Sequence, residues 1–150
     1  MIQHAMVHAA EMSGAGLYSF EDKVWDGLTD NIARRIHHGS EHSNIWCFWH
    51  LTRCEDITMT LLVAGTPQLL FGDGWFDRMH VPARGTGNAM TDAEMVEFSS
   101  RINISMLREY RISVDRRTRD IVQNLESGDI KNMTSPVRLH QVVKEGAVPA

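Results

Sequence analysis

Cysteine is scarce in this chain of 150 residues, and its two copies, Cys47 and Cys54, lie seven positions apart. On a helix that spacing is a rise of roughly 10 Å, too far for a disulfide between them. Both are therefore expected to be buried thiols, which fits a reducing cytoplasm. Long apolar runs are missing as well, since none approaches the roughly 20 residues that span a bilayer. The opening Met1-Ile-Gln-His-Ala-Met-Val-His8 lacks the basic head and long apolar centre of a signal peptide. We expect a cytoplasmic protein with no membrane partner. A strong excess of either charge is missing too, and a net charge of -4 exerts no general pull on nucleic acid or anionic lipid. No segment alternates convincingly with period two and no internal repeat is present, so neither a sheet nor a repeat array is expected. These absences leave one all-α domain over residues 1–150, long enough to bury a sizeable core.

What is present centres on Asn44-Ile-Trp-Cys-Phe-Trp-His-Leu-Thr-Arg-Cys-Glu-Asp-Ile57. Apolar residues on every side predict a helix packed against several neighbours. Ser43 or Asn44 is a natural N-cap, and the helix should run to about Ala64 and stop at Gly65, with Pro67 beyond. Trp46, His50, Ile57, Leu61 and Ala64 recur at helical spacing and should share one face. A neutral imidazole turned into a bundle is a good ligand for a divalent transition metal. A core histidine hydrogen-bonded to its surroundings suits the same spacing and is the plainer reading, because one histidine is not a metal site.

Ahead of this helix, Ile2 to about Met12 should form another, broken by Ser13-Gly14-Ala15-Gly16. It carries His4 and His8, four apart and so on one face, a spacing that metal sites use. A packed or solvated pair near a terminus explains them equally well. Ser19 can cap a short helix bearing Trp25 and Leu28, and Thr29-Asp30-Asn31 starts another turn. His37-His38-Gly39-Ser40-Glu41-His42-Ser43 reads as a polar loop, with His38 and His42 a weak metal candidate.

Behind it, residues 66–90 lose all periodicity, and a connection this long often covers a site. Thr91-Asp-Ala-Glu94 is a capping box. The stripe Met95, Phe98, Ile102, Met106, Tyr110, Val114, Thr118, Ile121 and Leu125 then predicts one helix of about nine turns, on the order of 45 Å, ended by Gly128. Arg108, Arg111, Arg116, Arg117 and Arg119 are interleaved with acids, which predicts a solvated face of ion pairs rather than a nucleic-acid surface. Ser135-Pro136 starts a last amphipathic helix that runs to Gly146.

The Asn44–Ile57 stretch resembles the second helix of the DinB/YfiT-like superfamily. The likeness extends over most of the chain through Leu28-Thr-Asp30, the Trp75 loop, Gly87-Asn-Ala-Met-Thr-Asp-Ala-Glu94 and Leu107-Arg-Glu-Tyr110. Members of that superfamily are four-helix bundles, many of them metal-dependent enzymes. Their site is a histidine on the second helix and a His-x-x-x-His pair on the last long one. The resemblance maps the first of these onto His50. The pair has no counterpart, because His140 is the sole histidine after Ser135. We therefore expect a bundle whose last helix is shortened or missing.

The function that this resemblance implies is a metal-dependent hydrolase, or a transferase or isomerase using a low-molecular-weight thiol. His50, His4 and His8 are the candidate ligands for a divalent zinc or nickel ion, a small molecule or thiol is the partner, and no organic cofactor is indicated. Cys54, one turn after His50, could be a soft ligand, although a small buried hydrophobe is the plainer reading. Glu55 or Asp56 would orient a ligand unless an ion pair with Arg53 claims it. The alternative is a non-catalytic helical bundle acting as a homo-oligomeric binding module. An uncovered apolar wall around Trp46 and Trp49 would then be buried in a homodimer.

Overall fold

A short polar side chain opens almost every helix among the described residues. In the computed structural model, which describes residues 18–38, 40–126, 128–129 and 135–146, seven α-helices are seen. They are α1 Phe20–Asp26, α2 Asp30–Arg34, α3 Asn44–Ile57, α4 Trp75–Arg78, α5 Asp92–Arg101, α6 Ile104–Gln123 and α7 Pro136–Lys144. Ser19, Thr29, Ser43, Thr91, Asn103 and Ser135 each accept a backbone N–H of the first turn, satisfying a donor that the helix itself leaves open. Ser19 and Thr91 do so reciprocally with Asp22 and Glu94. Among the described residues no strand occurs beyond a single bridge between Ile36 and Ser43. The all-α expectation holds.

The central helix is α3. Past Ile57 it widens into a π-helix, Thr58–Ala64, that ends at Gly65 in the left-handed conformation. The Thr60 hydroxyl donates to the Asp56 carbonyl one turn back, a side-chain bond that competes with the regular ladder and lets the turn expand. α3 packs along α6 and against α2 and α5, while α7 lies on the π segment. There Arg138 donates to the carbonyls of Leu62 and Val63, two of the acceptors that the helix end leaves open.

The core is built from Ile45, Trp49, Leu70, Met79, Phe98, Ile102, Leu107 and Tyr110, all 0% exposed. The Trp49 ring lies 5.8 Å from Phe98 and 6.5 Å from Tyr110, and Trp75 completes the cluster at 5.8 Å from Tyr110. Each such fully buried side chain contributes about 1.5–3 kcal/mol.

Several expectations need correction. The stripe from Met95 to Leu125 is two helices, because the chain breaks at Ile102 and Asn103. Asn103 caps α6, and its backbone N–H goes to the Met79 carbonyl at 2.9 Å instead of back along the helix. α6 also stops at Gln123, short of Gly128. α3 is not buried all round: Cys47 and Leu51 are exposed on its outer side, Leu51 at 60%. Cys47 is thus not a buried thiol. Trp46 and Trp49, at 6% and 0%, are covered within the single chain.

Arg111 likewise leaves the solvated face assigned to it. It is buried among Glu21, Glu55 and Asp115 at 3.2, 2.6 and 2.8 Å. Burial disfavours its charge, but the three carboxylates outweigh that and hold its pKa above the usual arginine range.

Candidate functional site

The connection over residues 66–90 is fastened to α3 by a buried ion pair. Arg53 and Asp56, three apart and so on one side of the helix, meet at 2.8 Å with both side chains fully buried. The Asp56 carboxylate also accepts the Tyr110 hydroxyl and the backbone N–H groups of Leu69 and Leu70, at 3.0 and 3.1 Å. It thereby caps the short 3-10 helix Leu69–Phe71, which has no cap of its own. The Arg53 guanidinium reaches the other end of the connection. It donates to the Arg84 carbonyl at 2.9 and 3.2 Å, and to Gln68 Oε1. Burial pushes the Tyr110 phenol well above its usual pKa; the Arg53 charge works against that shift and Asp56 adds to it. The site therefore rests on a neutral phenol, a carboxylate and a guanidinium that satisfy one another.

Two residues past Arg84, the Thr86 carbonyl lies 3.0 Å from His50 Nδ1. A carbonyl only accepts, so Nδ1 carries the proton, and in the neutral ring Nε2 keeps its lone pair. Nε2 faces Cys54 Sγ at 3.6 Å. The ring plane is fixed by Trp46, stacked on His50 at 4.7 Å and 7°, and His42 stacks on the same indole at 3.8 Å. Gly87 is needed here. Its φ is +91°, and a Cβ would come within 2.7 Å of Trp46 Nε1.

His50 and Cys54 are both half-buried. Burial raises the Cys54 thiol pKa, with the Arg53 charge opposing it. The Thr86 side chain donates to the Gly146 carbonyl at 2.9 Å, so the end of α7 steadies the loop residue that holds the imidazole. A cleft of about 460 Å³ opens along the same segment, lined by Ala83, Thr86, Gly87, Met90, Glu94 and Val143. Two other clefts, of about 250 and 600 Å³, share no residue with His50 or its partners.

The sequence-derived candidates fare unequally. His50 is directed into the fold at the covering loop. His4 and His8 lie outside the described residues. His38, His80 and His140 are exposed. Asp56 and Glu55 do not orient His50: Asp56 belongs to Arg53 and Tyr110, and Glu55 accepts from Arg111 and Thr118. The orienting group is the Thr86 backbone carbonyl, which no side-chain pattern could have indicated. The clearest available signal was the arginine embedded in an otherwise apolar helix, since a buried Arg53 demands acceptors from somewhere.

The model of the DinB superfamily matches residues 22–145, and the chain belongs to that superfamily. No curated protein matches the chain.

Superfamily membership raises the question of a metal, which the donor set can be tested against. Among the described residues no three His, Cys, Asp or Glu side chains come together to hold an ion. His50 and Cys54 do have a ligand-like disposition. One imidazole nitrogen is tied to a carbonyl, as it commonly is for a metal-bound histidine, and the other shares its space with a soft donor. These two donors stand 3.6 Å apart and fall short of the three or four ligands of a protein-bound transition metal.

Proposed function

We propose that this chain is a metal-dependent enzyme of its superfamily in which His50 Nε2 is a ligand to a divalent zinc or nickel ion. The observation that carries the reading is the 3.0 Å contact between His50 Nδ1 and the Thr86 carbonyl, which fixes the tautomer and leaves Nε2 as the basic nitrogen. Trp46 supports it by stacking on the ring and fixing its plane. His4 and His8 are the proposed further ligands, and the cleft lined by Thr86 and Met90 gives room for a small substrate. When bound, a cation with an open coordination position would activate a water or a thiol as a nucleophile. The reaction class that fits is hydrolysis, or thiol-dependent transfer or isomerisation, in the cytoplasm.

Elemental analysis and zinc and nickel titration of the parent, His50→Ala and His4→Ala/His8→Ala proteins test this. The parent should bind about one equivalent and both variants should bind far more weakly. Full metal retention by His50→Ala would remove His50 from the site.

A second reading draws on Leu51, which lies 60% exposed beside Cys47 on the outer side of α3. It is a non-catalytic homodimeric module joined through that side. A parent protein that binds no metal and sediments as a dimer dispersed by Leu51→Glu would favour it.

A further inference from the structure

The structure assigns Cys54 as a second protein ligand, so that His50 and Cys54 form a mixed nitrogen–sulfur pair for a soft divalent cation. This inference rests on the metal-binding role proposed for His50 and adds a donor to it. Histidine nitrogen binds zinc at about 2.0–2.1 Å and thiolate sulfur at about 2.3 Å, so in a tetrahedral site the two donor atoms stand about 3.5 Å apart. The separation of His50 Nε2 and Cys54 Sγ is 3.6 Å. The pair is therefore already spaced as two ligands of one ion.

The spacing has a structural origin. Positions 50 and 54 are one turn apart within the regular part of α3, ahead of the π segment that would throw the register off. His50 cannot swing its other nitrogen toward the thiol without giving up the Thr86 carbonyl. Both side chains are half-buried, so neither donor is sealed within the core. On binding, the Cys54 S–H bond breaks, the sulfur's electron pair forms the bond to the cation, and the proton passes to the buffer without change of oxidation state.

Cys47 is the internal control, an exposed cysteine on the same helix. Cobalt(II) titration of the full chain is the test, read by absorption and supported by far-ultraviolet circular dichroism on every variant. The parent and Cys47→Ser proteins should develop a thiolate-to-cobalt charge-transfer band in the near ultraviolet. Cys54→Ser should lose that band and bind cobalt at least about 100-fold more weakly, since even outer-sphere partners are worth about 10–100-fold. Cys54→Ala is the second variant, should the serine perturb folding. If the parent binds cobalt without the band, or Cys54→Ser keeps the band and the affinity, the assignment of Cys54 is overturned while His50 stands. If the parent binds neither cobalt nor zinc, both proposals fail.

Discussion

Replacing Arg53 by methionine tests the premise that a buried ion pair holds the covering loop. Methionine keeps most of the stem volume and removes the guanidinium. Asp56 would retain the Tyr110 hydroxyl and the Leu69 and Leu70 N–H groups but lose its cation, and Gln68 and Arg84 would lose the donors that Arg53 supplies. Both side chains of the pair are fully buried, so solvent screening does not soften the loss. Removing one partner of such a pair costs roughly 3–5 kcal/mol. For a domain of about this size each kcal/mol is worth about 2–4 °C in Tm, so the midpoint should fall by roughly 6–20 °C. Urea unfolding followed by tryptophan fluorescence measures the free energy directly. Adding Asp56→Asn removes the stranded charge but keeps an acceptor for Leu69 and Leu70, and should recover at least about 1 kcal/mol. An Arg53→Met protein within about 1 kcal/mol of the parent would refute the reasoning. So would a double variant as unstable as the sum of the two single changes.

Two further substitutions probe the same machinery. Tyr110→Phe should change the alkaline limb of stability. The buried phenol titrates above its unfolded value, so its contribution is intact below about pH 10 and is lost as pH climbs toward the folded pKa, at up to about 1.4 kcal/mol per pH unit. Denaturant midpoints between pH 9 and 11 should therefore fall less steeply in the variant, and equal slopes would contradict a buried neutral phenol. Gly87→Ala places a Cβ 2.7 Å from Trp46 Nε1 at a φ of +91°, and should cost about 1–3 kcal/mol while shifting the tryptophan emission. A neutral effect in urea titration would show that the loop does not press on the indole.

What was legible in the sequence follows from how far each determinant reaches. Ser19, Ser43, Thr91 and Ser135 mark helix starts because a cap is made within three residues. The break at Asn103 was hidden, since the apolar spacing runs on through Phe98, Ile102 and Met106. What holds the break is a bond to Met79, 24 positions earlier. Arg111 was misjudged for a related reason. A mixed run of charges looks solvated until Glu21 and Glu55 arrive from other helices to meet it. His50 stood out as an inward imidazole, whereas its partner did not, because any residue at position 86 would offer the same carbonyl. Cys47 and Cys54 were indistinguishable as scarce thiols. Their position on α3 separates them, one facing out and one facing His50.

The two halves of the site occupy neighbouring sides of the same turns of α3. A helix advances about 100° per residue, so His50 and Cys54 lie within about 40° of each other, and Arg53 and Asp56 lie within about 60° on the adjacent, buried side. The loop is fastened on that buried side, through Arg84 and Leu69, and only then passes its Thr86 carbonyl round to the imidazole. Fold and the proposed metal binding are therefore separable by substitution in one direction. Truncating His50 or Cys54 leaves the Arg53–Asp56 fastening untouched and should remove metal affinity with little loss of stability. Truncating Arg53 must disturb both, because the carbonyl that orients His50 is two residues from the one that Arg53 holds. A His50→Ala protein as destabilised as Arg53→Met would mean that the imidazole serves the core, and the metal-binding proposal would lose its geometric basis.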